Sequence, residues 1–349
     1  MTEPRPDLTG VPAEVRAYIE ALEAELARVR RPARMAASAW EDDLPTEAAP
    51  CPAEPPTTLA VITATAGGLI KRSFRHLYGR QSRGGMGVFD LDAPEADLPA
   101  FLVIADFNQN LIAVTSQGRA FPLTARQINE MPVRSRGQAL SQWIPLQPGE
   151  RLALLLVDQG SGYLTVATVR GQVRRFRYHY FGAALKPGTI LCDIKEGGAP
   201  AAACWTPGDG ELFIATRKGN AIRFAETQVP VRGCPGIRVD PDDAVVGVAP
   251  VRGDSRVFLL SADGKGTIRA MSGFSANKEP GSGCKVAMKT DRLVGAAAVA
   301  PGDDIFVISR LGKIIRFAAD EVPEKEGVVQ GVNCMALRSD ETTALVVSR

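Results

Sequence analysis

Two histidines among 349 residues leave this chain almost without imidazole, the side chain that most often serves as general base or metal ligand. His76 and His179 both lie in basic stretches, where a polar surface role or a phosphate contact is the expected use. The six cysteines, Cys51, Cys192, Cys204, Cys234, Cys284 and Cys334, are scattered and never spaced as CxxC. That argues against a zinc site or a disulfide framework and for reduced thiols in a cytoplasm. Long apolar runs are missing too: the longest purely aliphatic stretch, Leu152 to Val157, falls far short of the roughly 18 residues that a membrane span needs. Met1 to Asp7 carry Glu and Asp and lead into no apolar segment of the signal-peptide kind. There is no GxSxG, no Walker loop and no HExxH, and Gly84, Gly85 and Gly87 precede no helix pattern that would supply a dipole for phosphate. Asp242, Asp243, Asp303 and Asp304 fall at turns between strands and read as solvated loops. The sequence predicts a soluble, cytoplasmic, non-catalytic protein with no cofactor and no metal.

Glycine (34) and proline (25) are abundant, hydrophobic residues make 45% and aromatics only 6%, a mix that favours short strands joined by tight turns. The net charge of +2 averages three unlike segments: residues 1–58 hold 6 basic and 11 acidic side chains, 59–192 hold 15 and 8, and 193–349 hold 20 of each. An electrostatic footprint for a polyanion therefore belongs on the first half of the folded region. Before it, Val15, Ile19, Leu22, Leu26 and Val29 alternate in steps of four and three, which predicts an amphipathic helix over residues 12–31 with a seam suited to self-association. Residues 32–58, with six prolines and the acidic Glu41, Asp42 and Asp43, read as a disordered linker.

From Leu59 onward the chain repeats. An apolar strand, a Thr or Ser, a turn ending in glycine and a second strand recur six times, at Gly68, Gly118, Gly171, Gly219, Gly264 and Gly312. These glycines are 50, 53, 48, 45 and 48 residues apart, and 17 to 19 residues after each comes a second: Gly87, Gly137, Gly188, Gly236, Gly283 and Gly331. Glycine suits the positive φ of tight hairpin turns. Runs between the repeats, such as Val245 to Val251 and Leu293 to Val299, read as buried inner strands. The expectation is an all-β ring of six four-stranded blades, one blade per repeat, closed so that few edges stay open.

Arg72, Arg175, Arg223 and Arg316 stand four positions after a hairpin glycine, which predicts a row of cations around the rim. Residues 55–89 and 159–192 contain no acidic side chain, and the first holds Lys71, Arg72, Arg75, Arg80 and Arg83, the second Arg170, Arg174, Arg175, Arg177 and Lys186. Such arcs suit phosphate backbones, whose recognition needs no base reading.

The loop Gln81-Ser82-Arg83-Gly84-Gly85-Met86-Gly87 is more specific. It resembles the signature Gln-basic-Arg-Gly-Gly-basic-Gly of the C-terminal DNA-wrapping domain of the gyrase A subunit, whose topoisomerase IV counterpart lacks an intact copy. The resemblance continues in Gly68-Leu-Ile-Lys-Arg72, Arg136-Gly-Gln-Ala139, Pro145 to Leu152 and Gly331 to Leu337, and covers residues 59–349. It implies a six-bladed β-pinwheel with double-stranded DNA on its basic perimeter and the signature loop at the junction of first and last blades. The implied contacts are Lys71, Arg72, Arg75, Arg80, Arg83, Arg119, Arg134, Arg136, Arg174, Arg175, Arg177, Arg223 and Arg316, with Gln81, Gly84, Gly85 and Gly87 shaping the loop. Neutral Ser82 and Met86 imply a grip weaker than that of gyrase, and the 58 residues before the ring imply a free-standing pinwheel without the cleavage core. It would act as an accessory or paralogue of a type IIA topoisomerase, at the nucleoid. The alternative is a propeller-type scaffold that docks on a topoisomerase or nucleoid protein, and a propeller enzyme is a distant third.

Overall fold

The computed structural model describes residues 54–349, together with Val15 and Ile19, both helical. The seam over residues 12–31, the self-association drawn from it and most of the 32–58 linker lie outside the described residues. The chain divides into two compact units, Met1–Ala49 and Pro50–Arg349, and the second carries the repeats.

The Thr/Ser-x-x-Gly spacing is a complete turn. In the second repeat the Gly118 N–H donates to the Thr115 carbonyl at 2.8 Å, Gly118 takes φ 75°, and the Arg119 N–H donates to Thr115 Oγ1 at 3.3 Å. The glycine-to-Thr/Ser backbone bond recurs in all six repeats. A hydroxyl at the first position caps the turn, and glycine at the fourth adopts a backbone that side chains resist.

Each turn joins the central hairpin of a blade. Blade 1 is built on Leu59–Thr65 and Leu69–Phe74, blade 2 on Asn110–Thr115 and Arg119–Thr124, and blade 3 on Tyr163–Thr168 and Gln172–Arg177. Blades 4, 5 and 6 follow on Glu211–Thr216 with Asn220–Ala225, Arg256–Ser261 with Lys265–Ala270, and Asp304–Ser309 with Lys313–Ala318. The inner strands are Pro99–Asp106, Leu152–Val157, Pro200–Thr206, Val245–Val251, Leu293–Val299 and Thr342–Ser348, in blade order. They pack side by side around an axial channel of ≈ 480 Å³ lined by small residues such as Ala153, Ala201, Gly247 and Gly295, and the last abuts the first.

One expectation needs correction: a blade is not one repeat. The short outer strand of each blade comes from the next repeat, at the second glycine mark. Gln138–Ala139 completes blade 1, Thr189–Ile190 blade 2, Cys234–Pro235 blade 3, Lys285–Val286 blade 4 and Val332–Asn333 blade 5, where Glu324–Lys325 also pairs in parallel. Val88–Phe89, from the first repeat, pairs with Lys313 and Ile314 of blade 6 and closes the ring. In every blade the hairpin glycine's carbonyl accepts an N–H from the incoming segment, as from Leu191 to Gly118 (2.9 Å) and from Asp90 to Gly312 (2.7 Å).

Packing follows the same geometry. Six apolar clusters each span two adjacent blades: Ile62, Ile70, Leu111 and Phe121 join blades 1 and 2, and Tyr78, Leu102, Phe306 and Ile308 join blades 6 and 1. Sheets stacked face to face bury both faces of the hairpin strands, hence their unbroken apolar runs such as Ile305 to Ile308. Among the described residues no helix is long and apolar enough to cross a membrane.

Candidate nucleic-acid interface

The row of arginines four positions after the hairpin glycines is equivalent from blade to blade, but it faces inward. Arg72, Arg223 and Arg316 are buried and Arg175 is half-buried, so the expected rim cations are instead clasps between blades. Arg72 Nε donates to the Ile128 carbonyl at 3.0 Å, Arg223 Nη1 to those of Met271 and Phe274 at 2.7 and 2.9 Å, and Arg316 Nη1 to that of Tyr78 at 3.2 Å. Each acceptor belongs to the 3-10 turn of the next repeat around the ring or caps it. A guanidinium satisfies several buried carbonyls at once, and carboxylates balance its charge: Glu211 for Arg223, Asp304 for Arg316, Glu226 for Arg175. Asp304 and its neighbour Asp303 are accordingly buried, not solvated turn residues. In blade 5, Arg269, one position further along, is fully buried and donates to the Ala287 and Glu326 carbonyls.

The acid-free stretch 55–89 is neutralised by the rest of the fold. Lys71 is fully buried against Asp90 at 2.8 Å, and its ammonium also reaches the Pro132 and Val133 carbonyls. Burial pushes the Asp90 carboxyl up and the Lys71 ammonium down, while Thr63 and Tyr78 donate to the same carboxylate. Arg75 pairs with Glu54, which also meets Arg316, and Arg80 pairs with Asp304. Arg119, another expected contact, is held by Glu150. These cations maintain the ring and are not available as an uncompensated phosphate surface.

The signature loop follows blade 1 in the chain and lies against blade 6 and the outer strand of blade 5, just before the segment that closes the ring on blade 6. Gln81 N–H donates to the Arg316 carbonyl (2.7 Å), Gly84 N–H to that of Cys334 (2.9 Å), and Ala336 N–H to that of Gly85 (2.9 Å). Gln81 Oε1 accepts from Gly87 N–H, and a side chain at Gly87, at φ 69°, would strike the Ile314 carbonyl. Gln81, Gly84, Gly85 and Gly87 therefore seat the closing strand. Arg83 is exposed but docked, its guanidinium donating to the Glu321 and Asn333 carbonyls. Ser82 and Met86, the two positions where the signature is basic, are both exposed.

The second acid-free stretch keeps its charge. Arg174 and Arg177 project from blade 3; Arg174 lies over the Phe176 ring at 4.9 Å and donates only to the Val231 carbonyl. Together with Arg126, Arg134, Arg170 and Lys186 they are exposed and have no carboxylate within ion-pair distance among the described residues. Arg136 meets only the exposed Asp92, at 3.8 Å. Arg126 carried no signal in the sequence, since a lone arginine on a 3-10 turn breaks no pattern. Residues 59–192 expose ten basic side chains against three acidic ones, Asp92, Glu95 and Glu130, whereas 193–349 expose 11 and 12. Folding thus raises the ratio of exposed bases to acids in the first half, because Asp90, Glu150 and Asp158 are buried and Asp97 and Asp106 half-buried.

The "DNA gyrase C-terminal domain, beta-propeller" family model matches residues 60–97, 210–252 and 303–347, three segments of the repeat array. The chain is 30% identical over 306 residues to the DNA gyrase A protein of Aminobacterium colombiense, and 26% identical over 296 residues to that of Mycolicibacterium smegmatis. The pinwheel resembles the DNA gyrase C-terminal domain family. These alignments cover 84% and 81% of this chain but only 37% and 35% of the two gyrase proteins, so the chain spans about a third of the curated relatives it matches. The part shared is the C-terminal domain. Among solved structures, a DNA gyrase A C-terminal domain superposes with a TM-score of 0.74 at 22% identity, over 83% of this chain and all of that one. A DNA topoisomerase IV C-terminal domain superposes with a TM-score of 0.59 at 14% identity, over 83% of this chain and 93% of that one. Both likenesses concern the fold, and gyrase-type and topoisomerase IV-type pinwheels share it with this chain.

Proposed function

We propose that this gyrase-type pinwheel binds duplex DNA along the perimeter built from residues 59–192, which is blades 1 to 3 and the closing strand of blade 6, through phosphates, and bends it without cutting it. The observation that carries the reading is the uncompensated arc of Arg126, Arg134, Arg170, Arg174, Arg177 and Lys186 against a balanced second half. Arg136 and Arg83 extend it toward the closing seam. Exposed arginines without acidic partners suit backbone contacts, which carry affinity without sequence preference. The reading puts the protein in the cytoplasm with the chromosomal DNA, as a non-catalytic accessory or paralogue of a type IIA topoisomerase, and the 12–31 helix is its candidate self-association or docking element.

Mobility-shift titration at several salt concentrations tests it. With about five phosphates engaged, log K against log salt should fall with a slope of about −4 to −5. Replacing Arg174 and Arg177 by alanine should weaken binding to every sequence alike and flatten the slope by about 2. Replacing the buried Arg223 should instead lower thermal stability. A slope near zero, or full affinity in the double variant, removes the electrostatic mechanism; retention of a protein partner from nuclease-treated lysate with no DNA shift would favour the scaffold reading.

A further inference from the structure

The six outer strands share one register. Their second residues, Phe89, Ala139, Ile190, Pro235, Val286 and Asn333, each pair with the residue that follows a hairpin glycine. All six are exposed and five are apolar; Ile190 is 70% and Phe89 50% exposed. The apolar tips come with cations. The Arg134 guanidinium and the Lys313 ammonium lie 5.3 and 4.9 Å from the centre of the Phe89 ring, the exposed Lys186 precedes Ile190 by four residues, and Lys285 adjoins Val286. An exposed apolar side chain flanked by phosphate-binding groups on a convex rim is the arrangement of a wedge that enters the minor groove.

We propose that Phe89 and Ile190 insert into the minor groove of bound DNA and partly unstack a base step, so that the duplex is kinked at the outer strands of blades 6 and 2. This rests on the DNA-binding reading above. Edge-to-edge pairing with a second copy is the poorer use of these strands, because two residues offer too short an edge and the cationic flanks of two copies would repel. The wedge also gives a role to this chain's departure from the signature: exposed Met86, near Phe89 in sequence, offers an apolar side chain where the signature has a charge.

A wedge binds most tightly where a step is already loosened, whereas phosphate contacts do not distinguish a matched duplex from a mismatched one. Competition between short duplexes with and without one mismatch should show at least about five-fold preference for the mismatch. In the Phe89→Ala, Ile190→Ala double variant the preference should vanish while the salt slope stays unchanged. Ile190→Ala alone, at a site that cannot disturb ring closure, should reduce it in part. Equal binding of both duplexes by the native chain, or a preference that survives the double substitution, overturns the wedge. Failure to bind either duplex would instead overturn the DNA reading beneath it.

Discussion

At Glu150 the ring's internal ion pairs acquire a measurable pH dependence. Its carboxylate accepts from the Arg119 guanidinium first of all; burial opposes ionisation, and the Gln147 N–H and Thr115 hydroxyl favour it, holding the pKa down at about 2. A carboxyl depressed in the folded state stabilises fully above its unfolded value near 4.5 and loses that contribution as pH falls toward 2. Thermal melts between pH 5 and 2 should show a loss of up to about 3 kcal/mol that Glu150→Gln lacks. Parallel pH profiles for the two proteins would contradict the assignment. A second residue-scale prediction separates strain from clasping. Gly302 at φ 82° has open space around its α-carbon, so Gly302→Ala should cost only the left-handed backbone penalty of about 1–2 kcal/mol. Gly312 at φ 76° has no such space: a β-carbon there would strike the Leu91 carbonyl of the closing segment, and Gly312→Ala should cost clearly more by denaturant unfolding. Equal losses would mean that the turn, not the clasp, sets the requirement.

Among the elements, the signature loop shows best what could be read in advance. Its place at the seam followed from the resemblance, and the repeat with its capped turn followed from local spacing, because Thr/Ser, two residues and glycine form a self-contained hydrogen-bonded unit. The second glycine mark was legible as a strand start, but nothing local says to which hairpin that strand returns. The offset-four arginines misled for a related reason. Strand periodicity places them equivalently without saying whether the blade's second face meets water or the next blade, and their partners are distant in sequence, Ile128 for Arg72 and Tyr78 for Arg316. An acid-free stretch likewise guarantees no free charge when Asp90, Glu54 and Asp304 arrive from outside it. The loop itself separates scaffold from charge: Gln81 and the glycines hold it, while Ser82 and Met86 are open to solvent. Ser82→Arg with Met86→Lys should therefore leave the melting temperature unchanged and steepen the log–log salt slope of DNA binding by about 2. A slope unchanged by two added cations would place the loop away from the DNA path.

On the scale of the whole ring, closure and charge distribution pull the function in one direction. Closure is complete: Val88–Phe89 joins blade 6, and the Lys71–Asp90 pair sits at the same seam. The perimeter is therefore a continuous track, whatever runs along it. The net excess of exposed cations lies on the part of that track built from residues 59–192, and beyond it exposed acids match exposed bases in number. A duplex attracted to such a ring is held along part of the circumference and leaves where attraction ends, since phosphates gain nothing from a neutral surface and screening weakens the flanks first. Bending without a full encircling turn is the consequence. When nicked plasmid is sealed by ligase with rising amounts of the protein, the linking-number change per bound ring should be well below one, and moderate salt should abolish it before binding is lost. A change near one that resists salt would show that the perimeter built from residues 193–349 holds DNA by means other than net charge. It would move the interface onto the half of the perimeter where exposed acids and bases balance in number.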